Sequence, residues 1–154
     1  MHIGLLFAMR IDVYIFYRRA VNDMDNQIEL LIKEAKEARE NAYCPYSKFK
    51  VGAALLTKDG KIFTGCNFEN ASFVAGSCAE RTALGNAIVN GERQFKAIAI
   101  CGGEAPCMPC GVCRQALIEF GDIDVYCVDA AGKTICQFRL TELLPGAFVE
   151  FQPE

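Results

Sequence analysis

The alternation of hydrophobic and polar positions divides the chain into regular elements from residue 25 onward. Apolar residues from Ile28 to Ala38 recur on one helical face, which predicts an amphipathic helix. This helix should end before the segment "YCPYSK", because Pro45 disfavours the helical conformation in the residue before it. The runs "FKVGAALLT" and "KIFTGCNF" are typical of strands, and Asp59-Gly60 between them predicts a hairpin with a two-residue turn.

The second half of the chain repeats the change between helical and extended patterns. A helix is predicted from near Cys78 to Asn90, with Gly91 as its stop, and a third from Pro109 to Phe120. The buried strand "KAIAICG" lies between them. The strands "DVYCVDA" and "TICQFR" and a short helix in "LTELLPG" follow. The order α-β-β-α-β-α-β-β-α predicts an α/β fold with a mixed sheet covered by helices.

Residues 1–24 do not share this pattern. The apolar run from Ile3 to Met9 is too short to span a bilayer, and Arg10 interrupts it. The segment also lacks the basic start and small-residue cleavage site of a signal peptide. We therefore interpret residues 1–24 as an N-terminal extension of a single domain, residues 25–154, and we expect no membrane partner.

Composition excludes several classes of function. A chain of 154 residues with 52% hydrophobic and 23% charged residues is expected to form a packed globular domain. The net charge of −3 and the absence of a basic stripe argue against a nucleic-acid partner. Nine cysteines favour a reducing cytoplasm. Five of them stand singly and are expected to be small buried apolar residues: Cys44, Cys66, Cys101, Cys127 and Cys136. Because the single histidine is His2, His-dependent nucleophilic catalysis and a His-ligated metal site in the fold are both excluded.

The segment "EAPCMPCGVCRQ" carries three cysteines at every third position. An iron–sulfur ligand run would require a further cysteine where Leu117 stands, so that interpretation is disfavoured. Three others remain for Cys107, Cys110 and Cys113. They could form a redox pair, a closed structural zinc site that includes Cys107, or part of an open zinc site.

The open zinc site depends on a more distant cysteine. Cys110 and Cys113 fall at the start of one predicted helix and Cys78 at the start of the helix before it. Helices that follow strands begin at one edge of the sheet, so the three thiolates can meet around one ion with a fourth position left for water. The helix N-termini and either Arg81 or Arg114 would offset the negative charge of such a site.

Glu80, two residues after Cys78, gives this arrangement a chemical function. A carboxylate beside a zinc-bound water, but not itself a ligand, is typical of metal-assisted proton transfer. The segments "CAERTA" and "PCGVCRQ" together resemble the zinc-dependent cytidine deaminase family, in its small homotetrameric three-cysteine form, over about residues 26–148. The resemblance implies a three-layer α/β/α fold around a mixed five-stranded sheet. It also implies one Zn²⁺ per chain, bound by Cys78, Cys110 and Cys113, with Glu80 as the catalytic residue.

The same resemblance implies contacts to a free pyrimidine nucleoside. In "NFENASF", Asn67 and Glu69 would bind the ribose hydroxyls, while Phe49 would pack against the pyrimidine ring and Ala79 would contact the substrate. Two simpler interpretations stay open. Asn67 and Glu69 could instead form a polar turn with bonds to the backbone, and Phe49 could belong to the strand core.

Residues of a neighbouring subunit complete the site in tetrameric members of the family. The resemblance implies this role for Ala71, Phe73 and Phe148, and a homotetramer. Phe73 stands where the family commonly has Tyr, so a hydroxyl contact to the sugar is missing. Arg81 would compensate the charge of the cysteine ligands.

The predicted function is the hydrolytic deamination of cytidine and deoxycytidine to uridine and deoxyuridine, with release of ammonia, in pyrimidine salvage. Two rival functions remain: deamination of another free amino-heterocycle, and a structural zinc or redox module without catalytic activity.

Overall fold

The computed structural model describes residues 25–133 and 135–150. The predicted extension, residues 1–24, lies outside the described residues. Contacts between Cα atoms divide the chain after Leu30, and the site described below belongs entirely to the second unit. The first helix, α1, covers residues 25–40 and ends before Pro45, as the sequence predicts.

The remaining elements follow the predicted order. They are β1 (Gly52–Thr57), β2 (Ile62–Cys66), a short 3₁₀ helix (Phe73–Ala75), α2 (Ala79–Val89), β3 (Phe95–Cys101), α3 (Gly111–Ile118), β4 (Asp124–Val128), β5 (Ile135–Arg139) and α4 (Leu140–Leu143). Gly91 stops α2 in the left-handed conformation, with φ of 87°. The third helix is shorter than predicted at both ends. Cys110 is its N-cap and not part of its first turn, and its last residue is Ile118.

The five strands form one mixed sheet in the order β2-β1-β3-β4-β5. β3 and β4 are parallel, and the other neighbouring pairs are antiparallel. β1 and β3 lie in the interior of the sheet and are buried along nearly their whole length, whereas the edge strand β5 alternates between exposed and half-buried residues. The predicted α/β fold with a mixed five-stranded sheet is therefore confirmed.

Helices cover both faces of this sheet, and two glycines mark where they approach most closely. A Cβ at Gly52 would lie 2.1 Å from the carbonyl oxygen of Ala35 in α1. On the opposite face, a Cβ at Gly65 would lie 2.3 Å from the backbone nitrogen of Ala83 in α2. Side chains of that size do not fit, so glycine at these positions allows the helix backbones to rest on the strands. This close packing fixes the height of α2 above β2.

Two predictions about local structure were wrong in detail. The β1–β2 hairpin has a three-residue loop, since Thr57 faces Lys61 and Gly60 takes a left-handed φ of 91°. A type I turn followed by a left-handed residue is the usual form of such a loop. Of the cysteines expected to be buried apolar residues, Cys101 and Cys127 are buried, but three are only partly so: Cys44, Cys66 and Cys136.

Within residues 25–133 and 135–150, no helix combines the length and apolar character needed to cross a membrane.

Candidate metal centre and substrate cavity

Two helix N-termini bring three cysteine sulfurs together. Cys78 is the N-cap of α2, and Cys110 is the N-cap of α3, with Cys113 in the first turn of α3. Neither capping thiol makes the side-chain hydrogen bond that an N-cap residue normally makes to its own helix. Both thiols are therefore available to a ligand, and both lie at the positive end of a helix dipole.

The spacing of the sulfurs fits a tetrahedral zinc ion. The Sγ atoms of Cys78 and Cys110 are 3.9 Å apart, and those of Cys110 and Cys113 are 3.5 Å apart. All three lie within 4.8 Å of one another. A Zn–S distance of about 2.3 Å in a tetrahedral site places two sulfurs about 3.8 Å apart. The described residues supply three thiols to this group, which leaves a fourth tetrahedral position.

Electrostatics at the cluster favour an anionic site. A hydrogen bond from the Cys113 thiol, followed by the nearby Arg81 guanidinium, lowers the pKa of Cys78 to about 5. The same hydrogen bond and burial raise the pKa of Cys113. The buried Nε of Arg81 has no hydrogen-bond partner in the part of the chain that the structure describes. A guanidinium beside the sulfurs fits a zinc–thiolate centre, which carries a net charge of −1 with three cysteines.

Arg81 and Arg114, which the sequence could not distinguish, have different surroundings. Arg114 donates from Nε to the carbonyl of Pro109 at 2.8 Å and from a terminal nitrogen to the carbonyl of Leu143 at 2.8 Å. Its guanidinium therefore joins α3 to the end of α4. Arg81 is the guanidinium beside the sulfurs, as its effect on the pKa of Cys78 indicates.

Cys107 lies apart from the cluster although it belongs to the same sequence run. It is not among the three residues whose sulfurs converge. Its side chain packs against the backbone of Gly102, where a Cβ would come within 2.7 Å of its sulfur. Burial raises the pKa of Cys107 to about 11, which keeps the thiol protonated. This placement disfavours a closed structural zinc site that includes Cys107.

Glu80 lies beside the sulfurs in the first turn of α2. It is one of three polar or charged side chains buried among the described residues, with 4% of its surface exposed. Burial raises the pKa of this carboxyl, and the negative charge of Cys78 acts in the same direction. A raised pKa makes a carboxylate a better proton acceptor, which suits a group that must accept a proton and then donate it.

A cavity of about 700 Å³ opens onto the cluster. Its size falls within the range typical of small-molecule sites, about 300–1,000 Å³. Predicted site residues that line it are Phe49, Asn67, Glu69, Phe73, Cys78, Ala79, Glu80, Arg81 and Cys110. Residues that the sequence analysis did not predict also line it, among them Tyr46, Ser47, Phe68 and Met108. Three predicted residues in the described chain are absent from this lining: Ala71, Cys113 and Phe148.

Phe49 belongs to the wall of the cavity and not to the strand core. It precedes β1, and 48% of its surface is exposed. The edge of its ring lies over Gly103, where a Cβ would come within 2.8 Å of Cε2. An exposed ring with one edge against the backbone leaves an apolar surface on which a flat ligand can stack.

Asn67 and Glu69 are hydrogen-bonded to the loop that carries Phe49. Asn67 accepts from the backbone nitrogen of Val51 at 2.8 Å and donates to the carbonyl of Phe49 at 2.8 Å. The Glu69 carboxylate accepts from the backbone nitrogens of Tyr46 and Ser47. Both side chains thus have the local backbone bonds of a polar turn, and both also line the cavity.

Comparison with known proteins identifies the class. The family model described as the cytidine and deoxycytidylate deaminase zinc-binding region matches residues 25–129, and the chain belongs to this family. Cytidine deaminase from Sporosarcina psychrophila is 51% identical over 124 residues, which cover 79% of this chain and 90% of that protein. Cytidine deaminase from Halalkalibacterium halodurans is 51% identical over 128 residues, which cover 81% and 95%.

A solved structure of similar sequence identity supports the fold. The cytidine deaminase from Burkholderia pseudomallei matches with a TM-score of 0.74 and 50% identity, covering 78% of this chain and 98% of that one. The zinc-binding description of the matched region and the three-cysteine cluster together assign one zinc ion per chain.

Proposed function

We propose that this protein catalyses the zinc-dependent hydrolytic deamination of cytidine and deoxycytidine, giving uridine and deoxyuridine with release of ammonia. The observation that carries the proposal is a buried carboxyl, Glu80, beside a three-thiol cluster at one end of a nucleoside-sized cavity. Relatives named cytidine deaminase, 51% identical over most of their length, support it.

The zinc ion would be held by Cys78, Cys110 and Cys113. A zinc ion with three protein ligands would leave a fourth position for water and would supply a water of lowered pKa as the nucleophile. Three thiolates weaken this effect by donating charge to the metal. The two helix N-termini and Arg81 withdraw part of that charge, so they keep the centre acidic enough to function.

Glu80 moves the protons of the reaction. Its carboxylate accepts the proton that the attacking water loses and delivers it to ring nitrogen N3 while the oxygen bonds to C4. The same carboxylate then accepts the proton on that oxygen and passes it to the amino group, which leaves C4 as ammonia. One water is consumed, and Glu80 ends in its starting state, so a single carboxyl suffices for both transfers.

The remaining residues position the nucleoside. Phe49 packs against the pyrimidine ring, and Ala79, fully buried at the start of α2, forms the wall beside it. Asn67 and Glu69 bind the ribose hydroxyls with the hydrogen-bonding capacity that the loop leaves unused. A carboxylate has about four acceptor positions, and the loop occupies three of those on Glu69.

We further propose that the enzyme is a homotetramer in the cytoplasm. Phe73 and Phe148 are 84% and 64% exposed, and Val74 beside Phe73 is 96% exposed, so large apolar surfaces remain for a neighbouring subunit to cover. Ala71, also exposed, stands next to this surface. Hydrogen bonds between Gln115 and the backbone of Phe148 hold the second aromatic residue on α3. All nine cysteines are free thiols, which supports a reducing compartment.

The test is an ultraviolet absorbance assay with purified zinc-loaded protein and cytidine, deoxycytidine or cytosine. We expect turnover of both nucleosides with stoichiometric ammonia release, and far weaker turnover of the free base, which lacks the sugar contacts. Failure to convert any of the three while one zinc per chain is bound would overturn the proposal. Sedimentation of the same sample measures the oligomeric state.

A further inference from the structure

The loop between α1 and β1 depends on side chains from outside it. Residues 46–51 form no strand pairs, and Lys48 adopts a left-handed φ of 60° although it is not glycine. That conformation costs about 1 kcal/mol or more for an ordinary residue. The loop therefore needs external hydrogen bonds to keep one conformation, and the segment after β2 supplies them through Asn67 and Glu69.

One hydroxyl links the two ends of this arrangement. The Ser47 hydroxyl donates to Oε1 of Glu69, and its oxygen accepts a hydrogen bond from the backbone nitrogen of Phe49 at 3.0 Å. The backbone nitrogen of Ser47 also donates to Oε2 of Glu69 at 3.1 Å. Ser47 thus contacts both carboxylate oxygens of Glu69 and the backbone of Phe49 at once. It also lines the cavity.

We propose that Ser47 is a positioning residue that sets the distance between the sugar-binding and ring-binding groups of the site. The inference rests on the proposed function, in which Glu69 binds the ribose and Phe49 packs against the pyrimidine. A nucleoside has a fixed distance between its sugar and its base, so a carboxylate and a ring tied to one hydroxyl are pre-organised for it. The hydrogen bond from Ser47 also keeps the pKa of Glu69 low, so the carboxylate stays ionised.

A purely structural role for Ser47 would give different results. Its side chain is exposed, and it contributes nothing to the hydrophobic core. Removing its hydroxyl should therefore leave the melting temperature nearly unchanged while it loosens two contacts to the substrate. The expected signature is a change in KM without a matching change in kcat, because zinc and Glu80 are untouched.

The experiment compares Ser47→Ala and Ser47→Thr with the unmodified protein. With cytidine, we expect Ser47→Ala to raise KM about tenfold, as losing one hydrogen bond to a charged group predicts, and to keep kcat within about twofold. Ser47→Thr retains the hydroxyl and should restore most of the affinity. Zinc content and the melting temperature should match the unmodified protein in both variants.

A double-mutant cycle with Glu69→Gln tests the route of the effect. If Ser47 acts through Glu69, the combined increase in KM should be clearly smaller than the product of the two single increases. The inference would be overturned if the two increases in KM simply multiplied, or if Ser47→Ala left KM unchanged. It would also be overturned if Ser47→Ala lost its zinc and its kcat and stability fell together. If the unmodified protein itself fails to convert cytidine, the proposed function fails; if it converts cytidine and the cycle shows no coupling, only the role of Ser47 fails.

Discussion

Replacing Glu80 by glutamine should separate zinc binding from catalysis. The two side chains have nearly the same size, and Glu80 is 4% exposed, so the variant should fill its site without opening a cavity. The amide cannot accept a proton. A single acid–base group contributes about 10²- to 10⁴-fold to a rate, and Glu80 serves two transfers. We therefore expect kcat to fall by about 10⁴, or about 5.5 kcal/mol of activation free energy.

The same substitution should not destabilise the metal-free protein. Burial raises the pKa of Glu80 above its ordinary value of 4.5, so the charged carboxylate costs folding free energy at neutral pH. This cost decreases as the pH falls below the raised pKa, and it is absent below the ordinary value, where the folded and the unfolded states are both protonated. Glutamine is neutral at every pH, so the melting temperature of the Glu80→Gln variant at pH 7 should equal or exceed that of the unmodified protein.

The assay combines the decrease in cytidine absorbance with zinc analysis and thermal melting. Glu119→Gln, an exposed glutamate just after α3, is the matched control and should behave like the unmodified protein. If Glu80→Gln kept more than about a tenth of the kcat, proton transfer would not depend on this residue. If it lost its zinc, the carboxyl would be a ligand and not a proton carrier.

Two further predictions test the choice of ligands and the packing of α2. Cys107→Ser should keep one zinc per chain and most of the activity, whereas Cys113→Ser should lose the metal. The opposite result by metal analysis would mean that the wrong three cysteines were chosen. Gly65→Ala should lower the free energy of unfolding by about 1–3 kcal/mol in urea, because its Cβ would meet the α2 backbone at 2.3 Å. Gly85→Ala is the control, since its Cβ would have open space and alanine favours a helix over glycine by about 1 kcal/mol. If both variants changed the free energy of unfolding equally, the packing argument would be refuted.

The order of elements and the meeting of the three sulfurs follow from features that the sequence displays directly. Hydrophobic periodicity and turn residues mark the helices and strands, and Cys78 and Cys110 fall where helices begin after strands. The choice between Arg81 and Arg114 could not be made in this way. It depends on which guanidinium finds carbonyl acceptors, and one acceptor of Arg114 is Leu143, which is 29 residues away.

Loop geometry was the least predictable part of the site. Ser47 lies in a segment without periodicity, and the hydroxyl of a serine gives no sign of its partners. Its role becomes visible only when Glu69, 22 residues later, folds back against it. The hairpin loop between β1 and β2 illustrates the same limit, since one extra residue changes the turn type and shifts the register by one residue, although the two strands still pair as a hairpin.

The cluster also links parts of the chain that are far apart. Cys78 and Cys110 are 32 positions apart, and α2 and β3 lie between them. An ion bound by both closes this stretch into a ring, much as a disulfide would, and by chain entropy a ring of that size stabilises the fold by about 4 kcal/mol. Loss of the ion would reopen the ring. Amide hydrogen exchange should then accelerate first in α2 and the start of α3, so these helices would report metal occupancy before the sheet as a whole unfolds.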